Sequence, residues 1–289
     1  MGFSKLSEII EESNHTNEPF WKVILYNDCR ERNVTEEESI QYMKKLLWVM
    51  QSADENYDAD LRSPSNMAGG DGAKLEMFRK KENRLIGDFL TMVMEKAVKM
   101  GESNACMKRI VAMPTAGSCG VIPAVLLSYK EYKQVPEEEI IKALYVAGGI
   151  GEVIAASASI SGAEGGCQAE IGTASAMAAG ALTFLEGGDN SQIVHGVALA
   201  IKNMLGLTCD PVAGLVEVPC IKRNVSGAVN AVITSQMAIA GIQSAIAPDE
   251  TIDAMQRIGK QIPVCLKETG LEGLATTQTA LELNKRLTK

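Results

Sequence analysis

Histidine and aromatic residues are scarce in this 289-residue chain. It contains two histidines, His15 and His195, and aromatic residues make up 4% of it. So few histidines argue against His-based catalytic triads, two-histidine metal sites and HExxH zinc sites. His195 also lies on an apolar helical stripe, which predicts a packing role. With so few aromatics, the core must be built mainly from closely packed Ala, Val, Ile, Leu and Met.

Several short motifs and any excess of positive charge are also missing. No CxxC pair occurs, which argues against zinc ribbons and thioredoxin-like sites. Neither GxxxxGK[ST] nor a GxGxxG after a strand is present, so nucleotide binding has no support. The 28 Lys and Arg residues face 36 Asp and Glu residues, for a net charge of -8. This balance excludes nucleic acid as an expected partner.

Signals for export and for membrane insertion are weak. The N-terminus has no uninterrupted apolar run, and the longest uncharged stretch, 224–248, carries recurrent Asn, Ser, Thr and Gln. Polar groups of that density are costly in hydrocarbon, so we predict a buried helix or helix pair there. Seven cysteines, an odd number, indicate a reducing compartment. The sequence therefore predicts a cytoplasmic protein with no membrane partner.

Helical patterns run through nearly the whole chain. Thr35 to Glu38 form a capping box before an apolar stripe, and further stripes begin at Ile86 and Ile193. Pro136, at a first-turn position, opens another helix. No strand pattern persists beyond about five residues, so we predict an all-α fold with a single large helical domain. The irregular stretch 57–72 divides it into an N-terminal helical arm, 1–65, and a core, 66–289.

Glycine, alanine and serine concentrate in three blocks of the core. They are AGGDGAK from Ala68, PTAGSCG from Pro114 and SASISGAEGGCQAEIGTASAM from Ser157. One interpretation is tight helix packing. The other is a set of loops whose N–H groups lead into helix N-termini and bind an anionic ligand such as a carboxylate.

Three cysteines of the second half differ in context from the other four. Cys167, Cys209 and Cys220 lie in Gly- or Pro-containing polar segments beside acids, amides or bases. The Asp210-Pro211 step ends any helix there, so Cys209 and Cys220 can converge. They are either buried core thiols or metal ligands. Three thiolates are the number that leaves one iron of a 4Fe-4S cluster open.

The chain resembles the alpha chain, or catalytic domain, of the iron-sulfur-dependent bacterial L-serine dehydratases. Four segments carry the resemblance: GGDGAK from Gly69, PTAGSCGVIP from Pro114, SISGAEGGCQAEIGTASAM from Ser159 and KNMLGLTCDPVAGLVEVPCIKRN from Lys202. The last two are long and specific, whereas the first 65 residues are generic.

The resemblance implies an all-helical lyase that converts L-serine to pyruvate and ammonia without pyridoxal phosphate, in amino-acid catabolism and gluconeogenesis. It also implies that Cys167, Cys209 and Cys220 hold a 4Fe-4S cluster with one open iron, which would activate the substrate hydroxyl as a Lewis acid. The family often has a beta chain that carries a histidine, a candidate base. We therefore expect a heterodimer with a separate beta subunit, and leave a homo-oligomer open.

An L-serine substrate makes the glycine-rich blocks candidates for holding its carboxylate and ammonium groups. The predicted substrate-binding residues are Gly69, Gly70, Asp71, Thr115, Ser118, Ser161 and Gly162. Lys74 is the predicted catalytic residue, paired with the carboxylate, and the alternative for it is an exposed helix lysine. Arg223 and Asn224 are expected to orient the cysteine segments through hydrogen bonds.

Three other interpretations of the same residues stay open. An L-cysteine desulfidase-type lyase would keep the three cysteines and change the leaving group. A non-catalytic iron-sulfur sensor would bind a cluster without turnover, although it would not require the glycine-rich loops. A helical protein with incidental cysteines would bind no cluster at all.

Overall fold

Helices supply the regular structure of residues 2–287, the part of the chain that the computed structural model describes. Within this range there are thirteen α-helices: α1 (Leu6–Thr16), α2 (Phe20–Arg32), α3 (Glu36–Glu55), α4 (Asp71–Arg79), α5 (Asp88–Ala105), α6 (Val121–Lys133), α7 (Glu137–Ser157), α8 (Gly162–Gly165), α9 (Thr173–Leu185), α10 (Asn190–Met204), α11 (Cys220–Ile239), α12 (Pro248–Gln261) and α13 (Gln278–Leu287). The β-type pairing recorded in the same range is an isolated parallel bridge between Cys209 and Lys267. The predicted all-α class is confirmed.

The helix starts follow local signals in the sequence. The Thr35 side chain accepts a hydrogen bond from the Glu38 N–H, and the Glu38 carboxylate accepts one from the Thr35 N–H, which is the predicted capping box of α3. Pro136 stands at the N-cap of α7, one residue before the first turn that we predicted for it. Asp189 caps α10 with its side chain, a start that the apolar stripe alone did not mark.

Helix α9 lies at the centre of the core and is enclosed by α6, α7, α10 and α11. Its residues from Thr173 to Thr183 are all buried, and most of them are Ala, Ser, Thr or Gly. A Cβ added at Gly180 would come within 2.2 Å of the Ile150 side chain and 3.1 Å of Val197. Small residues therefore let neighbouring helices approach α9 closely, as the scarcity of aromatics predicts.

The N-terminal helices pack into this same core. Phe20, Ile24 and Leu25 of α2 and Leu47 and Met50 of α3 belong to one apolar cluster with the buried faces of α7 and α9. The backbone N–H groups at the start of α1 donate to the carboxylate of Asp249, on α12. The arm that we predicted from sequence is thus joined to the rest of the domain by apolar contacts and by this helix cap.

Two long apolar segments contain core helices. The predicted buried helix of the uncharged stretch 224–248 is present as most of α11, whereas residues 240–247 form a mostly exposed loop. Helix α7 is long and apolar enough to cross a membrane by length and composition, and most of it is buried inside the fold. A core helix of a globular domain meets the same criterion.

Candidate functional site

Cys167 lies on a tight loop between α8 and the π-turn Gln168–Gly172. Gly166 precedes it with a φ of 75°, and a Cβ there would be 2.8 Å from the Leu207 carbonyl oxygen. Only glycine suits this backbone conformation and this close approach. The Gln168 N–H donates to the same carbonyl at 3.0 Å. The loop therefore holds Cys167 against the segment that leads to Cys209.

Cys209 lies in an extended segment after α10 and is held by the C-terminal part of the chain. Its N–H donates to the Leu266 carbonyl at 2.8 Å, and its own carbonyl accepts from the Glu268 N–H at 2.8 Å. Glu268 adopts a φ of 64°, which is uncommon for a residue with a side chain. The segment around Glu268 thus borders the cysteine site, an arrangement that no sequence signal indicated.

Cys220 is the first residue of α11, and it completes a group of three buried thiols. Cys167, Cys209 and Cys220 are 2%, 4% and 8% exposed. Burial raises the pKa of Cys167 to about 11 and that of Cys220 to about 12, and it raises the pKa of Cys209 further. The charges of Cys167 and Cys220 also raise the pKa of Cys209, so the three side chains share one electrostatic environment. The structure therefore brings together the three cysteines that the sequence singled out.

Arg223 joins all three cysteine segments. It lies on α11, three residues after Cys220, and donates one hydrogen bond to the Thr208 carbonyl and one to the Asp210 carboxylate, both at 2.8 Å. Its guanidinium also lies within hydrogen-bond reach of Cys167 and opposes the rise in the pKa of that thiol. Asp210 is buried and accepts as well from the Leu274 N–H. These contacts place Arg223 between the cysteine segments, and its orienting role stays a prediction.

Asn224 connects the Thr115 to Gly120 loop to the same helix. It is 1% exposed and accepts from the Gly120 N–H at 2.9 Å. Its amide donates to the carbonyls of Gly117, at 2.8 Å, and Cys220, at 2.9 Å. The three bonds use most of the capacity of a buried amide. They hold the PTAGSCG loop beside the start of α11.

Thr115 and Ser118 lie on this loop, on either side of Gly117, which packs against the Glu170 carboxyl. Their hydroxyl oxygens are 3.1 Å apart, and Thr115 is also hydrogen-bonded to the carboxyl of Glu170. The neighbouring Cys119 is buried and directs its thiol to the Met100 carbonyl on α5, 3.8 Å away. Cys119 is therefore separate from the group of three thiols.

Ser161 and Gly162 begin α8, on the other side of the site. A Cβ added at Gly162 would lie 2.9 Å from a Glu170 carboxyl oxygen and 3.1 Å from the Cys209 sulfur. Ser161 also borders an open cavity of about 620 Å³ between α7, α8 and α12. Gly162 thus faces the cysteine site directly, whereas Ser161 lies between that site and the cavity.

The glycine-rich block from Ala68 to Lys74 lies at the edge of the cysteine site. The buried Glu102 carboxylate accepts from the N–H groups of Gly69, Asp71 and Gly72, at 3.2, 2.9 and 3.0 Å. Gly70, with a φ of 85°, is the N-cap of α4, so the predicted loop before a helix start is present. The N–H groups proposed for a ligand carboxylate are here bonded to a carboxylate of the chain itself.

Lys74 is an exposed residue of α4. Its side chain is 74% exposed, and its amine is 2.7 Å from the Asp71 carboxylate. The other oxygen of that carboxylate pairs with Lys222 at 2.6 Å. Lys222 lies two residues after Cys220, so one ion-pair network links the start of α4 to the cysteine site. A catalytic role for Lys74 stays a prediction.

Glu170 and Glu268 are the acidic groups of the site to which the sequence analysis assigned no function. Burial raises the pKa of Glu170; the hydrogen bond from Thr115 opposes this shift, and the negative charge of Glu268 adds to it. Glu170 follows Cys167 by three residues, so proximity in sequence was a usable signal. Glu268 is 59 positions from Cys209 in the sequence and approaches it only in the folded chain. No local sequence pattern could therefore indicate it.

The donor set does not suit a single metal ion. Over residues 2–287, no three His, Cys, Asp or Glu side chains come close enough together to bind one ion. In an iron-sulfur cluster each thiolate binds a different iron, so the sulfurs stand farther apart than around one ion. Within the described residues the three thiols are therefore not arranged as ligands of a single metal ion.

Comparisons with known proteins identify the family of the chain. The sequence model of the family described as Serine dehydratase alpha chain matches residues 8–275. The Probable L-serine dehydratase, alpha chain of Bacillus subtilis (strain 168) is 44% identical over 285 residues, 99% of this chain and 95% of that protein. The L-serine dehydratase, alpha chain of Peptoniphilus asaccharolyticus is 38% identical over 283 residues, 98% of this chain and 97% of that protein.

A longer relative matches over part of its length. L-serine dehydratase TdcG of Escherichia coli (strain K12) is 44% identical over 181 residues, which are 62% of this chain and 40% of that protein. The two alpha chains, in contrast, align over nearly their whole length. The extent of these matches and of the family model leads to one conclusion: this chain belongs to the serine dehydratase alpha chain family.

Proposed function

We propose that this chain is the alpha subunit of an L-serine ammonia-lyase, which converts L-serine to pyruvate and ammonia without pyridoxal phosphate. The observation that carries the proposal is the convergence of Cys167, Cys209 and Cys220, three buried thiols from distant segments, around the guanidinium of Arg223. Relatives that align with 98–99% of this chain bear the name L-serine dehydratase, alpha chain. Together these findings favour a dehydratase over a helical protein with incidental cysteines.

We propose a 4Fe-4S cluster as the cofactor, held by Cys167, Cys209 and Cys220. The residues present fit this group, because the three buried thiols interact with one another and the positive guanidinium of Arg223 lies beside Cys167. A cluster bound by three thiolates supplies a Lewis acid at its remaining iron, which makes the substrate hydroxyl a better leaving group. The buried surroundings also lower the local dielectric and strengthen that polarisation.

The residues of this chain would orient the substrate and exclude water. Gly162 lies against the Cys209 thiol, and Thr115 and Ser118 lie on the loop whose Gly117 packs against Glu170. The hydroxyl groups of Thr115, Ser118 and Ser161 and the N–H of Gly162 are the proposed contacts for the substrate carboxylate. A substrate role for the N–H groups at Gly69 and Asp71, on either side of Gly70, requires Glu102 to give up these donors. A substrate role for Lys74 requires its amine to leave the Asp71 carboxylate. Arg223 and Asn224 would keep the loops in place while substrate binds and products leave.

The proposed assembly is a heterodimer with a beta chain, in the cytoplasm. The word alpha in the names of the relatives supports a second subunit. Seven unpaired cysteines support a reducing compartment. We assign the base that removes the Cα proton to the beta chain. We propose that the reaction serves amino-acid catabolism and supplies gluconeogenesis.

Iron and acid-labile sulfide per chain, measured after anaerobic reconstitution, test the cofactor. We expect about four of each in the wild type and a clear loss in Cys209→Ser. Cys119→Ser is the matched control, because Cys119 is equally buried and lies outside the group of three. An iron content that is indifferent to Cys209, or that falls as much in the control, would contradict the cluster site.

Pyruvate formation tests the reaction itself. The reconstituted chain is assayed with L-serine, alone and with its beta chain, and sulfide release from L-cysteine is measured in parallel. We expect pyruvate from L-serine, at full rate only with the beta chain. Full turnover by the single chain would refute the need for a partner, and preferential sulfide release would favour a desulfidase. Loaded protein with no turnover of either substrate would favour a sensor.

A further inference from the structure

The irregular stretch 57–72, which we call the strap, begins and ends at one buried carboxylate. At its start the Tyr57 hydroxyl donates to Glu102 at 2.6 Å. At its end three backbone N–H groups of residues 69–72 donate to the same carboxylate. Glu102 lies on α5 and is 1% exposed. The two ends of the strap are therefore fixed at one point of the core, as in a compact Ω-loop.

The middle of the strap is hydrogen-bonded to a second buried carboxylate, that of Glu217. The hydroxyl groups of Ser63 and Ser65 donate to Glu217 Oε2, at 2.8 and 2.6 Å. The Ser63 oxygen accepts from the Ala68 N–H, and the Ser65 oxygen accepts from the Met67 N–H. Ser63 and Glu217 are 2% and 5% exposed. The turn in the middle of the strap is thus ordered around this one carboxylate.

The strap contacts the chain on both sides of Cys220. Glu217 precedes this cysteine by three residues, and its carbonyl accepts from the Ile221 N–H at 3.0 Å, in the first turn of α11. Lys222 follows the cysteine by two residues, and its amine donates to the Asp71 carboxylate of the strap at 2.6 Å. The strap therefore holds the start of α11 before and after the thiol.

We propose that Glu217 is a positioning residue, through which the strap holds Cys220 in the place required of a cluster ligand. The inference rests on the proposed function, which makes Cys220 one of three ligands. Burial of a carboxylate costs free energy that burial of an apolar side chain does not, so packing alone would not require an acid here. Two hydrogen bonds from hydroxyl groups fix the direction of the side chain as well as its distance.

Alkylation of single cysteines by iodoacetamide, followed by mass spectrometry, tests the proposal on the reduced, metal-free full chain. The measured quantity is the labelling rate of Cys220 divided by that of Cys119, which is 1% exposed and reports opening of the whole fold. Ser63→Ala removes the contact without a change of charge. Glu217→Ala removes it from the other side, and Glu217→Gln removes the charge but keeps an acceptor oxygen. Ser13→Ala is the matched control, because this serine of α1 is also buried and also donates one hydrogen bond and accepts one.

In Ser63→Ala and Glu217→Ala we expect this ratio to rise at least about tenfold, the effect of one lost hydrogen bond to a carboxylate. Glu217→Gln should raise it less, because its amide oxygen still accepts from the hydroxyl groups. Ser13→Ala should leave the ratio at the wild-type value, even where it lowers the stability of the whole fold. After reconstitution with iron and sulfide, Ser63→Ala and Glu217→Ala should lose iron to a chelator faster than Ser13→Ala.

Three results would overturn the assignment. An unchanged ratio in Ser63→Ala, with faster labelling of Cys220 and Cys119 alike, would mean that the strap supports the stability of the fold only. An equal rise of the ratio in Ser13→Ala would mean that Cys220 responds to any lost buried hydrogen bond. Iron release no faster than in the control would mean that the strap does not position a cluster ligand. Failure of the proposed function gives a different pattern, since the wild type would then take up no iron while the labelling ratio still responds to Ser63→Ala.

Discussion

At the scale of single residues, burial controls the protonation of the three thiols. An unperturbed cysteine has a pKa of 9.0, whereas burial raises the pKa of Cys167 to about 11 and that of Cys220 to about 12. In the metal-free protein these thiols are protonated at neutral pH. Loading the site with metal therefore releases protons, because the ligand is the thiolate.

The same shifts predict that metal-free protein loses stability at alkaline pH. A folded pKa above the unfolded value means that the native state binds more protons, so stability is complete below pH 9 and falls as pH rises toward 11 or 12. We expect the urea midpoint of the reduced, metal-free protein to drop between about pH 9 and about pH 12. In Cys220→Ala the drop should be smaller, and an identical pH profile in the variant would contradict the prediction.

Asn224 should be the most costly polar side chain of the site to remove. Asn224→Ala leaves the Gly120 N–H and the Gly117 carbonyl without their side-chain partner in a buried place, and it removes the side-chain bond to the Cys220 carbonyl. We expect the free energy of unfolding to fall by about 2–4 kcal/mol, from the cost of unsatisfied buried groups. Urea unfolding measures this loss. Asn56→Ala, at an exposed helix end, is the control and should change stability by less than about 1 kcal/mol.

At the scale of helices, glycine serves two different purposes. A Cβ at Gly120 would lie 2.6 Å from the Ala97 carbonyl oxygen, and backbone cannot move away as a side chain can. A Cβ at Gly148, inside α7, meets nothing within 4 Å. The first glycine is required by the contact of α5 with the start of α6, and the second has no steric requirement.

This contrast predicts opposite effects of the same substitution. Gly120→Ala should lower the free energy of unfolding by about 1–3 kcal/mol through overpacking. Gly148→Ala should raise it by about 0.5–1 kcal/mol, because alanine loses less entropy in a helix. Chemical denaturation of both variants gives the signs directly. Destabilisation by Gly148→Ala would contradict the conclusion that this position has no steric requirement for glycine.

The helices were predictable from sequence because their signals are local. The capping box at Thr35 and the apolar stripes of α5 and α10 mark elements that the structure contains. The π-turn at Gln168–Gly172 was not predictable, since it depends on Gln168 bonding to Met255 and Gly206, two residues distant in sequence. Long-range contacts of this kind leave no pattern in the local sequence.

The site was predictable in part for the same reason. Polar, glycine-containing sequence surroundings distinguish Cys167, Cys209 and Cys220 from the other cysteines, and the fold brings these three together. The partners of the Gly69 block were not foreseen, because Glu102 reaches those N–H groups from the far end of α5. The contribution of Glu268 was not foreseen either, since it depends on the C-terminal segment lying along Cys209.

At the scale of the whole molecule, the question is whether the N-terminal 65 residues form a separable arm. A Cβ at Gly149 of α7 would lie 2.5 Å from the Ile24 side chain, so α2 and α7 are in direct contact. Phe20, Leu25, Leu47 and Met50 are buried in the core that α7 and α9 share. Helices α1 to α3 therefore supply part of the only large apolar core within residues 2–287.

Deletion of residues 2–56 should consequently unfold the protein. Each large buried side chain contributes roughly 2 kcal/mol by leaving water, and the loss of Phe20, Ile24, Leu25, Leu47 and Met50 alone is on the order of 10 kcal/mol. A domain is stable by only about 5–15 kcal/mol, and the deletion also exposes the face of α7 that these side chains cover. Far-UV circular dichroism and sedimentation of the truncated chain measure the outcome. We expect reduced helicity and association through the exposed face, whereas a soluble monomer that unfolds cooperatively and still takes up iron would establish the arm as an independent part.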